Sequence, residues 1–258
     1  MMLQGANFIA AIEPIPLVSL LIALVPVVAV ICILYMWKLD GKSGSIAVAR
    51  MLLQLLMLGF LLEFLFQKDQ PWISAVVLLF MAVVSSWIAL RVIPEKRRSL
   101  LLPVMGMMLV CGISVLLLVT QGVLQIQPWY AADKVIPLAG MIFSGGMNAV
   151  SLSLERFFSE YERTGDGDFS KRTAFHAALI PSTNSLLAVG LVSIPGMMTG
   201  QVLAGESPLL AARYQIVVMC MLYGIVGLSS AGSLLIAKSQ VMRSLASLQE
   251  SSEESPKL

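Results

Sequence analysis

The chain has 258 residues, 58% of them hydrophobic and only 12% charged, and its formal net charge is +2. A water-soluble domain of this size could not bury so much apolar surface, so the chain uses lipid as its solvent. The near-neutral charge, with basic residues confined to short clusters between apolar runs, excludes a nucleic-acid partner.

The N-terminal stretch MMLQGANFIAAIEPIP has no basic region, carries Glu13 and is interrupted by Pro14 and Pro16. It does not read as a cleavable signal peptide. Apolar runs of about 20 residues, the length that crosses a bilayer, follow at 17–37, 46–66, 72–93, 100–124, 136–154, 177–194 and 214–237. Pro103 falls in the first turn of the fourth run, where a helix tolerates it. These runs predict an all-α polytopic membrane protein with seven spans, forming one transmembrane domain over residues 1–240. The Ser-rich, acidic end QESSEESPKL predicts a disordered tail over 241–258.

Charge orients the spans. Lys38, Lys42 and Arg50 follow the first run, Arg91, Lys96, Arg97 and Arg98 the third, and Arg156, Arg163, Lys171 and Arg172 the fifth. Lys238 and Arg243 follow the seventh, whereas the alternate loops hold one basic residue each, Lys68, Lys134 and Arg213. The positive-inside rule therefore predicts an outer N-terminus and a cytoplasmic C-terminus. Glu63 is the one ionisable residue well inside a run, where a carboxylate is costly. Two readings fit it: pairing with Lys68 near the outer end of its helix, or attracting cations at an outer vestibule.

Several motifs fail on inspection. DGKSGS at 40–45 ends like a phosphate loop, but Met36 stands where the first glycine belongs and a membrane helix precedes it, so it reads as a flexible basic turn. His176, the lone histidine, has no acid or second ligand at useful spacing and sits at the start of the sixth run. Cys32, Cys111 and Cys220 each lie inside an apolar run and read as inert thiols. Nothing here assembles an enzyme's catalytic groups.

The fifth run, IPLAGMIFSGGMNAVSLSLER, and the sixth, AALIPSTNSLLAVGLVSIPGMM, differ from plain anchors. Small residues let membrane helices approach closely, and Asn and Ser side chains bond between them. Irregular backbone such as Pro195-Gly196 survives at membrane depth where protein or a wet cavity receives it. Counted from Ala177, that break comes about 27 Å along the helix, near its outer end. Ser207-Pro208 then supplies a cap and a first-turn proline to restart a helix.

The stretch AALIPSTNSLLAVGLVSIPGMMTGQVLAGESPLLAARYQIVVMC, with the fifth run before it, closely resembles the FetB-like ABC-transporter permeases. That group includes bacterial iron exporters and plant aluminium-tolerance proteins. The resemblance implies a permease of the bacterial inner membrane that pairs with a second copy and with a separate ABC ATPase subunit. That subunit would bind the ATP; the resemblance implies no cofactor on this chain. In such a permease the substrate pathway is expected at Ser144, Met147, Asn148, Asn184, Pro195, Gly196, Met197 and Met198. Amide and hydroxyl oxygens suit hard cations, and thioethers suit softer ones. Iron or another metal is the substrate the bacterial members imply; an organic solute such as a nucleotide sugar is the alternative from the plant side. Two departures stand out. Gly145 lies where the family usually has Asn, and the loop after the fifth run lacks the family's Leu-Gly-Ala-Thr/Ser-Pro segment, which resembles an ATPase-docking helix. Coupling then falls to Glu155, Arg156, Lys171, Arg172 and His176 in a minimal element, or the chain is a divergently coupled or non-transporting scaffold.

Overall fold

The computed structural model describes residues 16–67 and 70–253, with the side chains of Leu17, 60–67 and 244–253 left aside. The N-terminal stretch with Glu13, the Glu63 side chain, Lys68, and the end of the tail at 254–258 lie outside the described residues. The chain forms two compact units, 1–68 and 69–258. Among the described residues every regular element is a helix, and the one exception to this is an isolated bridge between Val189 and Ser193.

In the first unit α1 spans Leu17–Ala23, α2 Val25–Met36 and α3 Gly41–Gln67. The expected first span is divided at Leu24, because Pro26 has no N–H for the Ile22 carbonyl and its ring crowds that turn. Residues 40–45 are not a flexible turn. Asp40 caps α3 by accepting from the Ser43 N–H at 3.0 Å, and Gly41 fits against the Tyr35 ring, where an added Cβ would stand 2.9 Å from Cδ2.

The second unit begins with α4, Pro71–Ala89, followed by two 3-10 turns at Leu90–Val92 and Pro94–Lys96. Helix α5, Arg97–Leu117, continues into a π-helical segment, Leu118–Val123. Then come α6, Ala132–Thr164, α7, Gly167–Ala188, α8, Gly196–Leu203, and α9, Pro208–Glu253. The expected tail is thus helical as far as Glu253.

Helix α6 is central and packs against α4, α5, α7 and α9. The packing follows from four-residue periodicity: Leu100, Val104, Met108, Gly112 and Leu116 line the buried face of α5. They meet Ile142, Val150, Leu154 and Phe157 of α6 and Ile225 and Leu234 of α9 in one core. Gly232 lets α9 close on α5, since a Cβ there would stand 2.7 Å from Met107 Cγ.

Five helices among the described residues are long and apolar enough to cross a membrane: Val18–Met36, Pro71–Val92, Pro94–Val123, Ala132–Thr164 and Pro208–Arg243. Large apolar side chains such as Leu79, Phe80, Leu102 and Val110 face outward along them, as lipid contact requires. The other two expected spans fall on α3 and α7. Helix α7 opens with Asp168, Lys171 and Arg172 and ends at Ala188, earlier than the expected end at 194. After Ala188 the N–H groups of Leu191, Val192 and Ser193 converge on its carbonyl, and Gly190 takes a φ of +80° that favours glycine. Pro195 is therefore not a break inside α7 but the residue that precedes α8.

Candidate functional site

Helix α6 has 33 residues and measures about 50 Å, whereas a bilayer's hydrocarbon core is about 30 Å thick. Its apolar band ends near Leu154, and the charged remainder forms one arm of a hairpin with the first turns of α7. Two regions of this framework receive part of the expected set.

The first is a groove between α6, α7 and α9, within the apolar stretch of α6 and about 240 Å³ in volume. Asn148 and Gly145 line it from α6, Pro181, Ser182 and Ser185 from α7, and Val226 from α9. Pro181 lies inside α7 and leaves the Ala177 carbonyl one turn earlier without its usual helical donor. Ser185 Oγ turns back to the Pro181 carbonyl at 3.0 Å. Gly145 keeps the groove open: a Cβ there would be in ordinary contact, at 3.6 Å, with Ile225 and Leu222 of α9. The groove thus presents neutral oxygen and amide groups, with no ionisable side chain among its lining residues.

The expected pathway residues do not form one constellation. Asn148 lines the groove; Ser144, one turn away on the same exposed face, donates to the Met141 carbonyl at 3.1 Å. Asn184 is exposed but stands outside the groove lining, next to Ser185. Met147 is half-buried against the core rather than turned toward the groove. Pro195, Gly196, Met197 and Met198 belong to the turn and first residues of α8, which packs on α9. Ser182 and Ser185, absent from the expected set, are the α7 residues that face Asn148 across the groove. Their three-residue spacing in the sixth run was the available signal.

The second region is the charged hairpin of α6 and α7. Asp166 caps α7 by accepting from the Asp168 and Phe169 N–H groups at 2.8 and 3.0 Å, and Gly165 turns the chain at a φ of +68°. Asp168 pairs with Lys171 at 3.0 Å and with Lys238 of α9 at 2.7 Å. The hydrogen bond from Lys238, then that from Lys171, lower the Asp168 pKa to about 2. Glu160, buried on α6, is bracketed by Arg156 and by Arg163 at 2.7 Å. Of the expected coupling residues, Arg156 and Lys171 are therefore tied into ion pairs, whereas Arg172 and His176 are exposed on α7. Glu155 lines a separate pocket of about 270 Å³ with Glu95, Lys96, Phe158 and Glu162. There Lys96 Nζ sits 3.9 Å from the centre of the Phe158 ring. These contacts gather three of the basic clusters at one end of the unit.

The sequence matches the Uncharacterised protein family (UPF0014) over residues 17–166 and 169–242. The chain belongs to this family. Among relatives, it is 35% identical over 206 residues to the UPF0014 membrane protein slr1647 of Synechocystis sp., covering 72% of this chain and 78% of that one. It is 32% identical over 228 residues to the probable iron export permease protein FetB of Escherichia coli, covering 82% and 86%. It is also 32% identical over 231 residues to the protein ALUMINUM SENSITIVE 3 of Arabidopsis thaliana, covering 81% of each. No solved structure matches it significantly. Family membership and the five apolar helices make this an integral membrane protein.

Proposed function

We propose that the chain is the permease subunit of an ABC transporter that exports a metal cation across the bacterial inner membrane, with iron as the first candidate. A separate ATPase subunit hydrolyses the ATP, and this chain contributes no catalytic site. The observation that carries the reading is the groove of Asn148, Ser182 and Ser185, polar groups gathered within the apolar stretch of a helix bundle. Such groups are kept in a bilayer where they meet protein, water or a passing solute. The relative named as a probable iron export permease supplies the substrate class. Neutral oxygen and amide groups suit a hard cation that must be released again.

In this reading α3 and α7 complete seven crossings, the N-terminus is outside, and the hairpin of α6 and α7 lies in the cytoplasm. The hairpin takes the place of the missing docking segment, with Glu155, Arg156, Lys171, Arg172 and His176 on the surface presented to the ATPase. Two copies face each other across the groove, so that Ser144, Asn148 and Asn184 line a shared passage whose outer end is the turn at Pro195–Met198.

The test is co-expression of the full chain with an ABC ATPase subunit. A complex that hydrolyses ATP, together with raised cellular iron when the chain is deleted, is the expected result. Failure to form the complex would leave the scaffold reading in its place. An intact complex with unchanged metal content would remove the metal alone.

A further inference from the structure

Helix α4 carries an exposed stripe, Trp72, Val76, Phe80, Val83 and Trp87, whose spacing of three or four residues keeps it on one helical face. The stripe is apolar throughout and has an indole at each end. That is the pattern of a face that meets acyl chains while its Trp rings sit at the two interfaces. Arg91 follows about 28 Å from Trp72 along the axis, close to the thickness of a hydrocarbon core, about 30 Å. The stripe therefore ends, at Trp87, where lipid headgroups begin.

At that end the chain turns through Leu90–Val92 and Pro94–Lys96, and Arg91, Lys96, Arg97 and Arg98 follow one another closely. Lys96 points inward, over the Phe158 ring. Arg97 instead lies on the stripe: its Cζ is 3.3 Å from the centre of the Trp87 ring, and Nη2 donates to the Trp87 carbonyl at 2.9 Å. The stack and the hydrogen bond hold the guanidinium in one orientation against the exposed indole. Arg91, one turn beyond Trp87, and Arg98, next to Arg97, are both exposed. Arg97 and Arg98 open α5, where the helix dipole is already positive, and no acidic residue stands in its first turn. Glu95, the nearest carboxylate in sequence, lines the pocket of Glu155 and Phe158. A fixed guanidinium on an interfacial indole, cations beside it and an apolar stripe leading away match a molecule with an anionic head and apolar tails.

We propose that this corner of α4 and α5 binds an anionic phospholipid of the phosphatidylglycerol class. Arg91, Arg97 and Arg98 hold its phosphate, and an acyl chain lies along Val83 and Phe80. Guanidinium groups give phosphate charge-assisted hydrogen bonds. A zwitterionic phospholipid offers the same phosphate but adds an ammonium group, which the arginines repel. The proposal stands apart from the permease reading, because lipid binding needs neither the ATPase nor transport.

The test uses the full chain with Trp37, Trp72 and Trp129 replaced by Phe, so that Trp87 is the one indole left, in vesicles of phosphatidylcholine and phosphatidylglycerol. Brominated acyl chains quench the fluorescence of an indole they touch. Brominated phosphatidylglycerol is expected to quench Trp87 with an apparent affinity about fivefold or more above that of brominated phosphatidylcholine, the effect of one arginine near an anionic surface. Arg91→Gln combined with Arg98→Gln should bring the ratio close to one. A chain that keeps Trp72 alone should show the smaller preference, because the arginine cluster adjoins the other end of α4. Equal quenching of Trp87 by the two lipids would overturn the proposal and leave the corner to a protein partner. An equal preference at Trp72, or one at Trp87 unchanged by the two substitutions, would overturn it as well. Should a variant fail to fold, native mass spectrometry of the unaltered chain offered both lipids equally decides the matter: phosphatidylglycerol should be retained, and equal retention of phosphatidylcholine would overturn the proposal.

Discussion

At Gly112 the Phe143 ring lies so close that an added Cβ would stand 2.8 Å from Cε1. Phe143 is buried between α5, α6 and their neighbours and has little room to turn aside. Gly112→Ala gains at most about 1 kcal/mol of helix propensity, whereas overpacking a well-filled core costs about 1–3 kcal/mol. The overpacking cost should win, and thermal unfolding of the purified protein should show a lower midpoint. Gly145 reverses the balance, because its nearest neighbours would be met at 3.6 Å, an ordinary contact. Gly145→Ala should leave the midpoint unchanged or raised while narrowing the groove, so transport should fall without loss of folded protein. A Gly145→Ala variant that unfolds early would show that the glycine serves packing and not passage.

At the scale of elements, the hairpin of α6 and α7 is fastened to α9 through Asp168 and Lys238, 70 residues apart in sequence. Because the Asp168 pKa is lowered to about 2, below its unfolded value of about 3.9, the fastening contributes above about pH 4 and is lost as pH falls through about 2. It therefore holds throughout the physiological range. Asp168→Asn should speed amide exchange over residues 164–172 while leaving the cores of α5 and α6 protected. Lys238→Gln should do the same to a smaller extent, since Lys171 still pairs with Asp168. Both changes together should be no worse than Asp168→Asn alone, as expected of partners in one interaction. Additive effects would mean that the two residues act separately.

The same elements show what the sequence could reveal. The restart at Ser207-Pro208 was legible because cap chemistry is local, and Ser207 does accept from Leu210. The end of α7 at Ala188 was not, because the apolar run continues unbroken to Ile194 and hydropathy registers greasiness rather than a turn made by Gly190. Asn148 announced itself as an amide inside a span. Its partners Ser182 and Ser185 needed the register of α7 on α6, which no local pattern carries. Met147 misled for the same reason: its neighbours suggested a polar face, while packing turns it toward the core.

On the scale of the whole molecule, the groove lies on an exposed face of the second unit, and Asn148 is exposed there within the apolar band of α6. Moving an amide into an apolar medium without a hydrogen-bond partner costs roughly 2–7 kcal/mol, so lipid is a poor neighbour for this side chain. A second copy related by a two-fold axis would bring the same face against itself and enclose the groove. Cross-linking tests this directly in the full chain. With Cys32, Cys111 and Cys220 replaced by Ser, Asn148→Cys should join two copies in native membranes when a short bis-maleimide is added. Leu117→Cys, on an exposed apolar position of α5, should stay monomeric under the same treatment. Linkage at 117 with none at 148 would place the contact between copies elsewhere. The groove of Asn148 would then open to lipid in each copy alone, and an amide kept there would have to be served by water or solute entering from the membrane face.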